Sequence, residues 1–495
     1  MRIAIQIQNR PYLADHRVGG RSVYPAAESL ERLARAVAAQ FPGRRVLDSR
    51  DAEFLRFLPL SPEQASLDAI ADIETEDSGD LATSLGTVVH APRGTISRIR
   101  EHARVTFSDI HPPAPLSIDS VCAGDGVCYA LPAERLYQEL VPFGPSFHNA
   151  GGTVFLFRDG AVATLKAPRI GDTAPLLGSP FILDAAFHVA CAWGQRYHGY
   201  VAFPVGYTGR KIIHPAVAGE VYFCRVVPGG ADGKDTLRFD IWIYDAGGEL
   251  CEVAFGVKMK NIFQDRMGVP EWVKAHGHDE LRTLGGKGTG MSVVELTSIL
   301  PFAGKALSRH ETEEEQRRCH GKRNRYRGAR IALKRLARIL YKTGAPADPS
   351  RIETIAPDNI HPACIVPGSR QQFYCSAAHD DRFAVAVGGD SPIGVDVERL
   401  NTVLLRGAHI YMMPAEQDLC ARSPLGEGQA AIRAWTTKEC AAKVFGMSLP
   451  AAWSGVALKE IAGDRSIVSI RGRTLEAAHA SVGDHVFTVL EVPEP

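Results

Sequence analysis

Across the first 265 residues the sequence alternates as β-strands do, and two long helical stretches break that pattern. Pro25–Gln40 (PAAESLERLARAVAAQ) has proline in its first turn and Ala, Leu and Val at helical spacing. Leu183–His198 (LDAAFHVACAWGQRYH) reads as a second apolar helix, opened by Asp184. Around them, Thr153–Phe157 and Ala161–Ala167 flank an Arg-Asp-Gly turn, and Leu237–Tyr244 and Glu249–Lys260 flank Asp245-Ala-Gly-Gly. Both pairs read as β-hairpins. An apolar helix among strands must bury itself against a sheet, so the pattern supports an α+β fold. A single core stops growing near ~250–300 residues. The chain has 495 residues, so two domains are expected.

Gln264–Met291 reads as the boundary. It holds TLGGKGTG (283–290), polar and flexible. Glycines beside a lysine suggest a phosphate loop, but the GxxxxGK[ST] spacing is absent and no clear strand leads in, so a linker is expected. The expected domains are therefore 1–265 and 292–495, joined by 266–291. The second region holds Arg317–Lys342, with eleven positive residues and no acid between them. Ile331, Leu333, Leu336, Ile339 and Leu340 give this segment an apolar side, which predicts a helix that packs and presents its charge outward. Further on, Arg382–Gly388 and Ile393–Glu398 read as strands joined by Gly389–Pro392, and Ala430–Phe445 reads as a helix.

Lys+Arg and Asp+Glu both number 56, so bulk charge gives no reason to expect a nucleic-acid partner. No apolar run approaches the ~20 residues of a membrane span, and the N-terminus lacks the pattern of a secretory signal. The ten cysteines are scattered, with no CxxC, which favours reduced structural thiols and a cytoplasmic setting.

The first chemical constellation is His16 and Asp184. In PYLADHRVGGRSVYP, glycines after His16 allow a tight turn and Pro25 starts the helix. A neutral imidazole so placed can act as a general base, although a lone histidine is more often structural. Asp184 alone reads as an N-cap or first-turn acid. Together, HxxxGxxxxP at 16–25, GPSFHN at 144–149 and LDAAFH at 183–188 resemble, in order, the motifs of polyketide synthase dehydratase domains. Asp184 and His188 stand at the ends of the D-x-x-x-Q/H motif. The wording is most similar to dehydratases of iterative, enediyne-type and polyunsaturated-fatty-acid-type synthases.

The resemblance implies a double hotdog fold with a tunnel for a phosphopantetheine-tethered acyl chain. It implies that His16 removes the proton α to the thioester, and that Asp184 protonates the departing β-hydroxyl, with no metal. An apolar tunnel should raise the Asp184 pKa. Fifteen residues precede the histidine, fewer than modular dehydratases usually carry. The first strand is therefore expected to be lost, shortened or supplied from upstream.

The second constellation begins at IGVDVE (393–398), where Asp396 and Glu398 are two apart on a strand and project from one face. In WTTKECAAK (435–443), Glu439 and Lys443 share a helix face. A solvated edge and a surface ion pair are the plain readings. IGVDVE, some forty residues, then WTTKECAAK resembles the signature pair of 4′-phosphopantetheinyl transferases. CSAAHDDR (375–382) and GARIALKR (328–335) are similar to further segments of surfactin-type members. MMPAEQ (412–417) stands where FSxxE is usual, so Glu416 is a weaker carry-over.

This resemblance implies two pseudo-symmetric α+β halves. It implies Mg²⁺ held by Asp396, Glu398 and Glu439, and coenzyme A held by Arg330, Lys334, His379, Lys438 and Lys443. Glu439 or a metal-bound water would deprotonate the carrier serine, and Glu439 and Lys443 are also expected to act in catalysis. Hard carboxylate oxygens with substrate phosphate suit Mg²⁺.

The combined expectation is a bifunctional enzyme acting on acyl carrier protein and the components of a polyketide or fatty-acid synthase, with a homodimer through the hotdog half. Three alternatives stand beside it. The hotdog half could be only an acyl-binding or docking module. The 317–342 helix could bind polyanions. Each site residue could be structural.

Overall fold

The computed structural model describes residues 1–90, 97–170, 174–264, 266–275, 280–286, 288–342, 346–355 and 362–492, so parts of the expected 266–291 linker lie outside the described residues. The chain divides into two compact units, Met1–Pro115 with Cys128–Ala275, and Leu116–Val127 with His276–Pro495. The segment 116–127 thus interrupts the first region and belongs with the second, which a continuous 1–265 domain did not anticipate.

In the first unit one antiparallel sheet carries twelve strands. Its first half runs Arg2–Gln8, Ser66–Thr75, Leu81–His90, Ser97–Phe107 and Asp48–Phe54. Its second half runs Phe203–Ile212, Leu250–Lys260, Thr236–Asp245, Val221–Ala231, Gly160–Lys166, Ala150–Phe157 and Tyr129–Pro132. Asp48–Phe54 pairs with Phe203–Ile212 and joins the halves, Arg50 opposite Gly209. Both hairpins read from the sequence form, with Phe157 opposite Gly160 and Ile243 opposite Glu252.

Helix α1 (Ala26–Gln40) lies on the strands of the first half, burying Leu30, Leu33, Ala34 and Val37. Helix α2 (Pro180–His198) lies on Ala150–Phe157 and Gly160–Lys166 and is buried continuously from Phe181 to Gln195. A helix apolar on every side fits that position. One helix held against each half-sheet, twice over, is the doubled hotdog. The strand Arg2–Gln8 pairs residue by residue with Ser66–Asp72, so the first strand is present despite the short stretch before His16.

Helix α2 begins earlier than the sequence suggested. Pro180 sets the first turn, because its fixed φ favours helix entry and its missing N–H costs nothing there. Asp184 therefore stands in the second turn and caps nothing.

The second unit has two halves of similar build. Gly290–Glu295, Phe383–Gly389 and Tyr374–His379 form a three-stranded sheet under helix α3 (His320–Tyr341). Ile393–Arg399, His485–Glu491, Arg473–Val482, Arg465–Ile470 and Val456–Ile461 form a five-stranded sheet under helix α4 (Glu427–Phe445). Gly389–Pro392 is no hairpin turn, since its two strands belong to different sheets. Phe383, Val385, Val395, Val397 and Phe487 share one buried cluster between the halves.

Helix α3 corrects the expectation of charge turned outward. Lys334 is fully buried and Arg335 nearly so, because carbonyls and carboxylates inside the unit receive them. The ten cysteines are all thiols. Among the described residues no helix is long and apolar enough to cross a membrane.

Candidate functional sites

The first site is assembled by three loops and a helix. A 3-10 turn, Pro11–Asp15, delivers His16 into the interior, and the Gly19–Gly20 turn returns the chain so that Val23 lies against it. The Val23 carbonyl lies 2.8 Å from His16 Nδ1 and can only accept. Nδ1 therefore carries the proton, and Nε2 is left with its lone pair.

The GPSF loop is clipped to the residue before the histidine. Gly144 N–H donates to the Asp15 carbonyl at 2.8 Å, and Ser146 N–H donates to Asp15 Oδ2 at 2.9 Å. A Cβ on Gly144 would fall 2.3 Å from the Asp15 carboxylate, so this approach requires glycine. The clip places Phe143 in a stack on the His16 ring at 4.4 Å, with Phe147 tilted against it at 4.9 Å. Burial lowers the basicity of His16. Asp184 and the Val23 carbonyl oppose this without cancelling it, so the imidazole is neutral at neutral pH.

Asp184 comes from α2, one helical turn before His188. Its Oδ1 lies 3.8 Å from His16 Nε2 and its Oδ2 lies 3.0 Å from His188 Nε2, the latter off the line of a hydrogen bond. Tyr137 orients His188. Its hydroxyl accepts from Ala150 N–H at 2.8 Å and lies 3.4 Å from His188 Nδ1, to which it can give its own proton. His188 then turns an N–H toward Asp184.

These histidines overturn one expectation. Burial alone would push the Asp184 carboxyl up, as an apolar tunnel suggested, but His188 and His16 pull it below the ordinary aspartate value. His16, Asp184 and His188 open on a cavity of about 550 Å³ whose walls include Phe187, Cys191 and Met259. The sequence reading did not single out Phe143, Tyr137 or Asp15, although Phe143 and Asp15 directly precede the motifs it did find.

The second site lies between the two halves of the second unit. A pocket of about 400 Å³ brings together Arg330, His379, Asp396, Glu398, Glu439 and Lys443. Ile393–Arg399 lies flush on α4 because residue 394 is glycine. A Cβ there would fall 2.4 Å from the Cys440 carbonyl. That closeness lets Lys443 Nζ reach the Val395 carbonyl at 2.8 Å and Asp396 Oδ1 at 3.0 Å. Burial and the neighbouring acids push Glu398 and Glu439 up to about 7. Enclosure and the cations Arg325, Lys443 and Arg318 hold His379 below its ordinary value.

The acids fit a hard divalent cation. Asp396 Oδ2 is buried without a hydrogen-bond partner, and burial with the negative charge of Asp396 raises Glu398 and Glu439 although Lys443 stands beside Asp396 and Glu439. Among the described residues, the acids and histidines drawn within 4.8 Å of one another are Asp380, Asp381 and His485, not this group. Asp396, Glu398 and Glu439 nonetheless line one pocket, and three carboxylates would leave coordination positions to phosphate and water, as Mg²⁺ prefers. Arg330 spends two hydrogen bonds on Thr354 and keeps its buried Nε unpaired. Tyr326 has the guanidinium groups of Arg318 and Arg330 near its ring, at 4.4 and 5.0 Å. Arg318 and Tyr326 also line the pocket but stand outside the motif positions.

Two expected ligands of coenzyme A lie elsewhere. Lys334 is fully buried, 2.7 Å from Glu311 and hydrogen-bonded to the Pro349 and Ile352 carbonyls. Lys438 is fully buried, 2.7 Å from Glu416 and 2.9 Å from the Trp453 carbonyl. Glu416 also accepts from the Met413 and Leu458 amides, so this pair ties α4 to the segments around it. Lys438→Met is expected to lower the unfolding free energy of the chain by about 3–5 kcal/mol, since it leaves Glu416 buried and unpaired. Denaturant unfolding measures this. A loss confined to coenzyme A affinity, at unchanged stability, would restore the ligand role.

Residues 2–84 match the model described as polyketide synthase dehydratase domain, and 129–266 match polyketide synthase dehydratase N-terminal domain. Residues 392–490 match the 4′-phosphopantetheinyl transferase superfamily. No curated protein matches the chain.

Among solved structures, a trans-AT polyketide synthase dehydratase domain from Brevibacillus brevis aligns at 18% identity and TM-score 0.43, over 53% of this chain and 93% of its own. The dehydratase domain of PpsC from Mycobacterium tuberculosis, solved with C12:1-CoA, aligns at 19% and 0.40, over 52% and 92%. The dehydratase domain of RzxB from Pseudomonas fluorescens aligns at 16% and 0.41, over 52% and 94%.

Proposed function

We propose that this chain, which joins a polyketide synthase dehydratase domain to a 4′-phosphopantetheinyl transferase domain, uses its two sites on one class of partner, an acyl carrier protein. The first domain dehydrates 3-hydroxyacyl carrier protein to the trans-2-enoyl thioester. The second moves 4′-phosphopantetheine from coenzyme A to a carrier serine. The observation that carries the first reading is a neutral histidine beside an aspartate, 3.8 Å apart on the wall of one cavity. A half that only docked carriers has no use for that pair.

Dehydration breaks a Cα–H and a Cβ–O bond, forms the C=C bond and releases water. His16 Nε2 takes the α-proton. Asp184 is ionised in the free chain, so the proton it hands to the departing hydroxyl comes from within the site. The imidazolium lies 3.8 Å from Asp184 Oδ1, and the proton passes through that carboxyl to the leaving oxygen. Both groups return to their starting states. His188, aligned by Tyr137, holds the carboxyl in place.

Because His16 must be neutral, dehydration should fall at acid pH. Its lowered pKa moves that acid limb below pH 6.5, the ordinary histidine value. A pH–rate profile of kcat/KM with its limb at or above that value would count against His16 as the base.

In the second site Asp396, Glu398 and Glu439 would hold Mg²⁺, which when bound neutralises the diphosphate of coenzyme A and favours in-line displacement. Lys443 holds Asp396 in place and adds positive charge beside the phosphates. Arg330 and His379 face the same pocket and suit the 3′-phosphate. Glu439, on the same pocket, would accept the serine proton. The attacking serine oxygen displaces the pyrophosphate linkage at the pantetheine phosphorus, and 3′,5′-adenosine bisphosphate leaves.

Mass spectrometry of an apo carrier protein with coenzyme A and Mg²⁺ tests the transfer, and absence of the phosphopantetheine mass increase overturns it. Conversion of a 3-hydroxyacyl thioester to its enoyl product tests the dehydration. A homodimer through the hotdog half belongs to the same reading, and a single-chain mass by light scattering overturns it.

A further inference from the structure

We infer that residues 116–127 are a working part of the transferase, although both flanking stretches belong to the dehydratase. The family matches leave this segment out, ending at 84 and resuming at 129. In the structure it is no surface connection. Asp119, Val121, Cys122 and Ala123 are fully buried, whereas a plain connecting loop runs over the surface.

Arg335 of α3 closes the end of the short helix Ile118–Val121. It donates to the carbonyls of Asp119, Ala123 and Gly124, the first and last at 2.8 and 2.7 Å. Arg338, one turn on, donates to Asp119 Oδ2 at 2.6 Å. The strand Gly290–Glu295 holds the other end. Ser292 Oγ and Val293 N–H donate to Asp125, and Gly126 N–H donates to the Val293 carbonyl at 2.9 Å. Leu300 N–H donates to the Cys122 carbonyl at 2.8 Å.

A planar guanidinium with five donors suits a cluster of carbonyls at a helix end. The same helix carries Tyr326 and Arg330 into the pocket. Arg335 stands five residues beyond Arg330, about 7.5 Å along the axis. The strap therefore fixes the helix whose earlier turns line the coenzyme A pocket, and Asp119, Arg335 and Arg338 are positioning residues for transfer.

Amide exchange read by mass spectrometry on the full chain tests this. Peptides within 116–127 should exchange about 100-fold slower than an unstructured chain. The Arg335→Met/Arg338→Met variant should lose that protection and raise KM for coenzyme A about tenfold, with dehydration unchanged. Asp119→Asn, which keeps the volume, should move both readouts the same way by less. Fast exchange in the wild type overturns the inference. So does a double variant that keeps slow exchange and its KM, or one that loses both activities together. The activity arm rests on the proposed transfer reaction. If the wild type transfers nothing, that reading fails, and exchange still decides the strap.

Discussion

His16→Ala lowers dehydration of a 3-hydroxyacyl thioester by about 10³-fold, the middle of the range for losing a positioned general base. The same molecules keep the wild-type rate of phosphopantetheine transfer. The loss follows from geometry. The Val23 carbonyl directs the Nδ1 proton, Phe143 stacks the ring in one plane, and Nε2 is left facing Asp184. Alanine removes the imidazole and its stack on Phe143 while leaving Asp184 and His188 in the cavity. The transfer rate serves as the internal control for folding of the rest of the chain. Dehydration at the wild-type rate in His16→Ala would end the assignment of this histidine as the base.

Asp396→Asn abolishes transfer to about the same extent, 10³-fold, and leaves dehydration intact. Charge neutralisation at a phosphoryl centre is worth several kcal/mol, which corresponds to about three decades in rate. Asp396 is the most constrained of the three acids. Its Oδ1 takes Lys443 and its buried Oδ2 has no hydrogen-bond partner. Asparagine keeps the shape and removes the charge, so unfolding measurements should change far less than activity. A variant that transfers at the wild-type rate under saturating Mg²⁺ and coenzyme A would remove Asp396 from the metal site.

The motif residues divide instructively. Asp396 and Glu398 alternate on a strand, and Glu439 and Lys443 recur at one helical turn, so their shared faces were legible from backbone periodicity. Lys334 and Lys438 obey the same periodicities yet lie buried on glutamates. Periodicity states which face of an element a residue occupies. It cannot state whether that face meets an acid from some twenty residues away. The Asp184 carboxyl shows the same limit. Burial was foreseeable, but the direction of its pKa depended on His188 and His16 lying within 4 Å of it.

By itself, the sequence determined the two kinds of chemistry, because catalytic residues keep fixed spacings along elements whose geometry is local. It also determined the α+β class and the four long helices, through apolar periodicity and turn residues. Tertiary structure alone decided which charges face a pocket and which are spent in the core. It also decided that the aspartate is ionised and that 116–127 belongs with the transferase. Each of those outcomes depends on residues distant in sequence coming within a few ångströms, where desolvation and pairing set protonation and exposure.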